Sequence, residues 1–273
     1  MDIKHRDLFE EPIIGHITQG SFFNGAVSRL YPDEIEIYGL VISPRCDIEQ
    51  RKVPVYYYLP AIRLKDWLTI EFPEVYIPKL AADTKDSLQK QLIQCGESET
   101  IVSKLKAKDV EDAFLKHSPQ LNKKLKEKIE LWKALEKYHK EGAIEVVISA
   151  DTTSISKNVF DELINHKNSN YYFMENEGDD GYVLRMREIN RLTPDVFFRL
   201  ANGIDKPLKT DELLNNDLRQ VKEGDLYMPL YVLKSPFMEH VMQHFLQQFN
   251  KIGIEDADKK LPEEIVKLIK KEK

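Results

Sequence analysis

Cysteine is scarce: the chain holds only Cys46 and Cys95, and two thiols cannot build a disulfide framework. No apolar run approaches the roughly 20 residues that a bilayer-spanning helix requires. The opening MDIKHRDLFEEP has no apolar segment of the kind a secretory leader carries. A protein of the reducing cytoplasm, without membrane contact, is expected. There is no phosphate-binding glycine loop, no G-x-S-x-G and no C-x-x-C, so the signatures of P-loop, serine-esterase and dithiol chemistry are missing. No repeat at a fixed period and no low-complexity linker divides the chain.

What is present is a globular composition of 273 residues, 42% hydrophobic and 32% charged, long enough to bury a substantial core. The net charge of −6 argues against general nucleic-acid affinity. Its placement is uneven. Lys104 to Lys140 carries 11 Lys and no Arg against 6 acidic residues, a local +5 that leaves −11 elsewhere. Lys123, Lys124 and Lys126 could meet phosphate or an acidic partner there, although a solvated helix face accounts for them more simply.

The chain centres on Tyr38 to Ala61, where two strand-like runs, GLVIS and VPVYYYL, flank Pro44 to Lys52. A connection holding a proline, a thiol, two carboxylates and three cations is where a scaffold would present function. Before it, Ile13 to Val27 reads as a bent strand with Gly15, Gly20 and Gly25, and Asp66 to Leu80 reads as extended, with Pro73 and Pro78 confining it to an edge. Residues 81–141 read as helical. The best element starts at Ser118-Pro119, continues through Leu121, Leu125, Ile129, Trp132 and Leu135, and stops at Gly142. Ala143 to Ala150 then reads as a strand. Tyr171 to Met174 and Tyr182 to Met186 read as a hairpin around ENEGDDG, Asn190 to Asp205 as a short helix or irregular segment, and Leu226 to Leu233 as a last strand. From Ser235-Pro236 a helix carries Phe237, Val241, Phe245 and Phe249 on one face, ends at Gly253, and is followed by a last piece over Leu261 to Lys271.

Gly15 to Phe22, followed by GLVISP and VPVYYYLPA, resembles the PemK/MazF-like growth-inhibitor toxins over about a third of the chain. The resemblance implies a small SH3-like barrel closed by a C-terminal helix, here the one from Ser235-Pro236. It also implies a ribosome-independent, metal-independent endoribonuclease that is dimeric and neutralised by an antitoxin. Two positions depart from that pattern. Tyr38-Gly39 stands where the family keeps its catalytic arginine, and Ala61 follows Pro60 where the family keeps its threonine. A second resemblance joins Ile42 to Ile48 (ISPRCDI) with Ser235 to Glu239 and Phe249 to Gly253. It is similar to a group of uncharacterised bacterial proteins of mobile elements and defence loci, and implies a phage-defence or toxin-antitoxin setting.

The residues offer two chemistries. Cleavage of RNA without metal needs a base, an acid and a cation at the phosphate, roles that Arg45, Asp47, Glu49 and Arg51 could fill with Gln19 approaching from the first strand. Tyr56, Tyr57 and Tyr58 could stack bases from alternate faces. Cys46 could act as a thiolate beside those cations, but a small buried hydrophobe capping the strand is the simpler account. His240 and His244 could share a helix face, yet E-H-x-x-x-H is not the zinc-hydrolase order. Glu175, Glu177, Asp179 and Asp180 read as solvated loop carboxylates. No metal and no cofactor is expected. The expected architecture is mainly β with an α insertion: a first barrel half over 13–80, a helical insertion over 81–141, a second half over 142–234 and C-terminal helices over 235–273. The expected role is a non-catalytic interaction or sensor protein with a protein partner. The alternative is an endoribonuclease acting on RNA, and a homo-oligomer is compatible with either.

Overall fold

Strands from both ends of the chain meet in one sheet, and the helices sort onto its two faces. A computed structural model describes residues 6–96, 106–117, 123–176, 179–206 and 218–249. Among them eight strands form a curled, antiparallel half-barrel in a mixed α/β fold. They are β1 (Phe9–Glu10), β2 (Ser21–Asn24), β3 (Tyr38–Val41), β4 (Tyr56–Arg63), β5 (Tyr171–Asn176), β6 (Asp179–Arg185), β7 (Asn190–Leu192) and β8 (Pro229–Leu233). The spatial order is β1-β8-β2-β3-β4-β6-β5, with β7 also on β4.

The long β4 organises the sheet. On one side it pairs with β3, setting Tyr38 opposite Ala61 and Leu40 opposite Leu59. On its other side Ala61 faces Leu184 of β6, and Tyr58 faces Asn190 of β7. Between these pairs β4 advances three residues while its partner line advances six, so the chain around Met186 to Ile189 bulges from the ladder.

Helices α1 (Arg45–Gln50), α2 (Leu64–Ile70), α3 (Phe72–Gln94), α4 (Ala107–His117), α5 (Lys123–Glu141), α6 (Ile144–Ala150) and α7 (Ile155–Ile164) precede β5, and α8 (Pro194–Leu200) and α9 (Phe237–Leu246) follow. Because successive strand side chains point to opposite faces, the sheet is apolar on both. One face, with Phe22, Tyr38, Leu40, Leu59, Ala61 and Tyr172, packs under Met238, Val241 and Phe245 of α9. The other, with Phe23, Tyr58 and Val183, packs under Trp67 of α2, Tyr76 of α3, Val147 of α6 and Phe197 of α8. Leu88, Val110, Phe114, Leu125 and Ile129 make a smaller core where α3, α4 and α5 meet.

Several expectations are corrected. Asp66 to Leu80 is helical, because Trp67, Phe72, Tyr76, Ile77 and Leu80 recur at spacings of one helical turn and all are buried. Pro73 sits in the first turn of α3, where no amide donor is needed, and the interior Pro78 faces solvent. The helical block therefore runs from Leu64 to Ile164 rather than over 81–141. Ala143 to Ala150, with its strand-like composition, holds α6, which packs against α5 and buries Val147 in the larger core. Asn190 to Asp205 divides into β7 and α8. The α5 stripe lies where the spacing places it, with Leu125, Ile129 and Leu135 buried, and the Gly142 N–H bonds the Tyr138 carbonyl at 2.8 Å with φ +72°. Ser118-Pro119, Gly253 and Leu261 to Lys271 lie outside the described residues.

Two polar contacts hold the layers together. At the joint between α2 and α3 the Glu71 carboxylate is 2% exposed. Arg185 of β6 donates to it at 2.6 Å, and the Tyr31 hydroxyl donates to the same oxygen. Burial, and then the carboxylate beside it, raise the pKa of Tyr31. Across the half-barrel, Arg6 before β1 donates from its backbone N–H (3.1 Å) and its Nε (2.5 Å) to Glu175 at the end of β5. This clasp bridges the two edges of the sheet.

Removing one member of a buried pair strands the other, which generally costs about 3–5 kcal/mol. Because Arg185 is partly hydrated, Glu71→Ala should lower the unfolding free energy by about 3 kcal/mol in urea titration; a loss below about 1 kcal/mol would show the carboxylate to be dispensable. Gly39 is the other tight point, since a Cβ there would stand 2.3 Å from the Phe23 ring. Gly39→Ala should cost about 1–3 kcal/mol by overpacking, measured in the same titration.

Candidate functional site

The segment expected to be a catalytic loop folds as the short helix α1. Pro44, with φ −59°, presets the entry, Asp47 in the first turn complements the helix dipole, and Ile48 is the one buried anchor. Arg45, Cys46 and Glu49 point to solvent, and Asp47 is half-buried. Cys46 is thus an exposed thiol and not a strand cap. Arg51 closes the helix in the left-handed region (φ 51°), and its guanidinium lies 4.4 Å from the centroid of the Phe198 ring.

Behind α1, Tyr56 stacks on Phe197 (4.1 Å, 15°) and meets Phe198 edge-on, and its hydroxyl has no hydrogen-bond partner among the described residues. Burial raises its pKa, with Arg51 opposing and Asp47 adding to the shift, so the fold brings Asp47, Arg51 and Tyr56 into one neighbourhood. Arg45 and Glu49 stay outside it. Tyr56 and Tyr58 are 1% and 0% exposed, which closes both to base stacking. The Tyr58 hydroxyl meets the backbone of Val27. Gln19 donates its amide to the Ile42 carbonyl at 3.2 Å, bracing the end of β3. Lys123, Lys124 and Lys126 are exposed at the start of α5, away from the sheet; Lys123 reaches Glu127 at 3.9 Å, and with Lys126 it lines a groove shared with Glu130, Ser149 and Thr152.

Two clusters go beyond the sequence reading, which names Tyr57, His240 and His244 but not their neighbours. The first surrounds the bulge between β6 and β7, where Arg29, Tyr57, Arg187, Glu188, Asn190 and Arg191 wall a cavity of about 450 Å³. Tyr57, the exposed member of its tyrosine run at 45%, stands directly opposite Arg191 across the β4–β7 ladder. Glu188 accepts from the Ser28 hydroxyl (2.7 Å) and the Arg29 N–H (3.1 Å), while the buried Asn190 amide donates to Val27 O (2.7 Å). The available signal was the local run Arg185-Met186-Arg187-Glu188-Ile189-Asn190-Arg191, with a cation at every second or fourth place.

The second cluster gathers around Tyr172. His166 stacks on its ring (3.9 Å, 9°), His240 Nδ1 lies 2.8 Å from its hydroxyl, and His244 meets it edge-on while Nε2 holds the Asn168 carbonyl at 3.0 Å. His240 and His244 do share a face of α9, and that face meets His166 of the α7–β5 connection. Among the described residues no group of His, Cys, Asp or Glu is arranged to hold a metal. Glu175, read as a solvated loop carboxylate, is the clasp partner of Arg6. Burial pushes Tyr172 up to about 12. Burial, then His240, Arg6 and His244, lowers His166 from 6.5 to about 4, with Glu175 opposing.

No family model, no curated protein and no solved structure matches this chain.

The lowered His166 value fixes a sign. Above pH 6.5 the ring is neutral in both states; between 6.5 and about 4 the unfolded chain takes the proton while the folded chain resists it, so stability falls across that window as pH falls. His166→Gln should flatten this loss in thermal melts between pH 7 and 4. Superimposable profiles for the two proteins would show that His166 titrates normally.

Proposed function

We propose that this protein works by recognition, as a non-catalytic interaction or sensor protein. The observation that carries this reading is a single cross-strand pair. Tyr38 and Ala61, which occupy the positions where the toxin family keeps its arginine and threonine, face each other across β3 and β4. Both lie in the core beneath α9, 1% and 0% exposed. Packed side chains of the sheet and of α9 fill the space between these two positions and a substrate. Of the second set only Asp47 and Arg51 share a neighbourhood, beside Tyr56. Arg45 and Glu49 face solvent on α1, Arg51 rests on Phe198, and Asp47 is half-covered. General acid–base cleavage needs these groups to converge within hydrogen-bond reach of one phosphate. The proposed setting, a bacterial phage-defence or toxin-antitoxin locus with a protein partner, rests on the sequence resemblance alone.

The test is incubation of the purified protein with structured and unstructured RNA in EDTA, alongside Arg45→Ala and Asp47→Ala. Intact RNA in all three, by gel electrophoresis at micromolar protein, is the expected result. Cleavage that survives chelation and drops at least tenfold in both variants would replace recognition with catalysis.

A further inference from the structure

We propose that the cavity at the β6–β7 bulge binds a free nucleoside phosphate, with the base against Tyr57 and the phosphate held by Arg187 and Arg191. This proposal rests on the recognition reading and supplies its ligand class. Tyr57 and Arg191 are direct cross-strand neighbours on one face and line the same opening, so an aromatic ring and a guanidinium rise from paired positions. Tyrosine offers a π-face to any base, and guanidinium offers a planar fork to phosphate oxygens.

Two guanidinium groups in this wall, those of Arg187 and Arg191, are exposed. Arg191 forms no ion pair among the described residues, and Arg187 reaches only the Gln248 amide oxygen, at 3.4 Å. Glu188, the acid in the wall, accepts from Ser28 and the Arg29 backbone and so fixes the bulge, and its single negative charge stands against the three arginines Arg29, Arg187 and Arg191. Exposed Leu30 and Ile189 add an apolar rim, at 55% and 45% exposure. The volume of about 450 Å³ falls in the range of small-molecule sites. A free nucleotide fits better than a long strand, because a chain of net charge −6 repels an extended polyanion while one phosphate group feels mainly its local cations.

The test is calorimetric titration of the full chain with AMP, GMP, CMP and UMP, the matching nucleosides, inorganic phosphate and a 12-nucleotide single-stranded RNA. Saturable binding of at least one nucleotide is expected, at least tenfold tighter than its nucleoside or phosphate alone and weakening with added salt. Tyr57→Ala and Arg191→Ala should each weaken it at least tenfold with unchanged melting temperature, and Lys157→Ala on α7 should not. Absence of nucleotide binding, binding indifferent to both variants, or binding of the 12-mer alone would overturn the proposal. The two readings fail separately: RNA cleavage dependent on Arg45 and Asp47 removes the recognition reading and leaves the titration to stand, whereas intact RNA with a flat titration removes only the ligand.

Discussion

A single carboxylate removed from water sets the terms for this fold. Glu71 lies where α2 gives way to α3, and its charge can stay buried only because Arg185 and Tyr31 come to it from the sheet and from the segment between β2 and β3. Such a pair adds little net stability, since desolvation offsets most of its attraction, but it strongly disfavours arrangements in which either partner is left alone. The helical layer, β6 and the Tyr31 segment are thereby fixed in one register. Arg185 is also the last residue of β6, immediately before the chain leaves the ladder. The position of the Tyr57 and Arg191 cavity therefore depends on an ion pair inside the core.

The two buried faces of the sheet explain why chemistry is sparse where the family resemblance would put it. A barrel that exposed Tyr38 and Ala61 would need a groove, and this chain instead spends α9 on covering them, with Phe22 stacked on Tyr38 at 5.4 Å and Tyr182 set edge-on at 4.9 Å. Polar and charged side chains are displaced to the margins. They appear on α1, at the bulge, and at the start of β5 where three histidines surround a tyrosine.

Much of the skeleton was legible in the residues. A β-branched run and a run rich in valine and tyrosine marked β3 and β4, two apolar runs about the acidic ENEGDDG marked the β5–β6 hairpin, and spacings of three and four marked α5 and α9. What failed was any segment whose composition opposed its environment. Phe72 to Leu80 and Ile144 to Ala150 are rich in β-branched and aromatic residues, yet each offers a stripe that a covered sheet face can bury, and packing outweighed propensity. The six residues of α1 are too few for periodicity to register. The sites were less legible still. Tyr57 and Arg191 are remote in sequence and become neighbours only through the β4–β7 register, and His166 meets His240 only when α9 docks. Neither pairing has a local signature.

The Arg6 clasp on Glu175 has a consequence of another kind. An open sheet ends in two rows of unsatisfied amides and carbonyls, which invite strands from other molecules. Here the curl turns those margins toward each other and a two-point salt link draws the N-terminal arm against β5. The link adds little to folding energy, being half in water, and what it supplies is topological: it ties one margin of the sheet to the other, so that the two open rows face a neighbour within the same molecule.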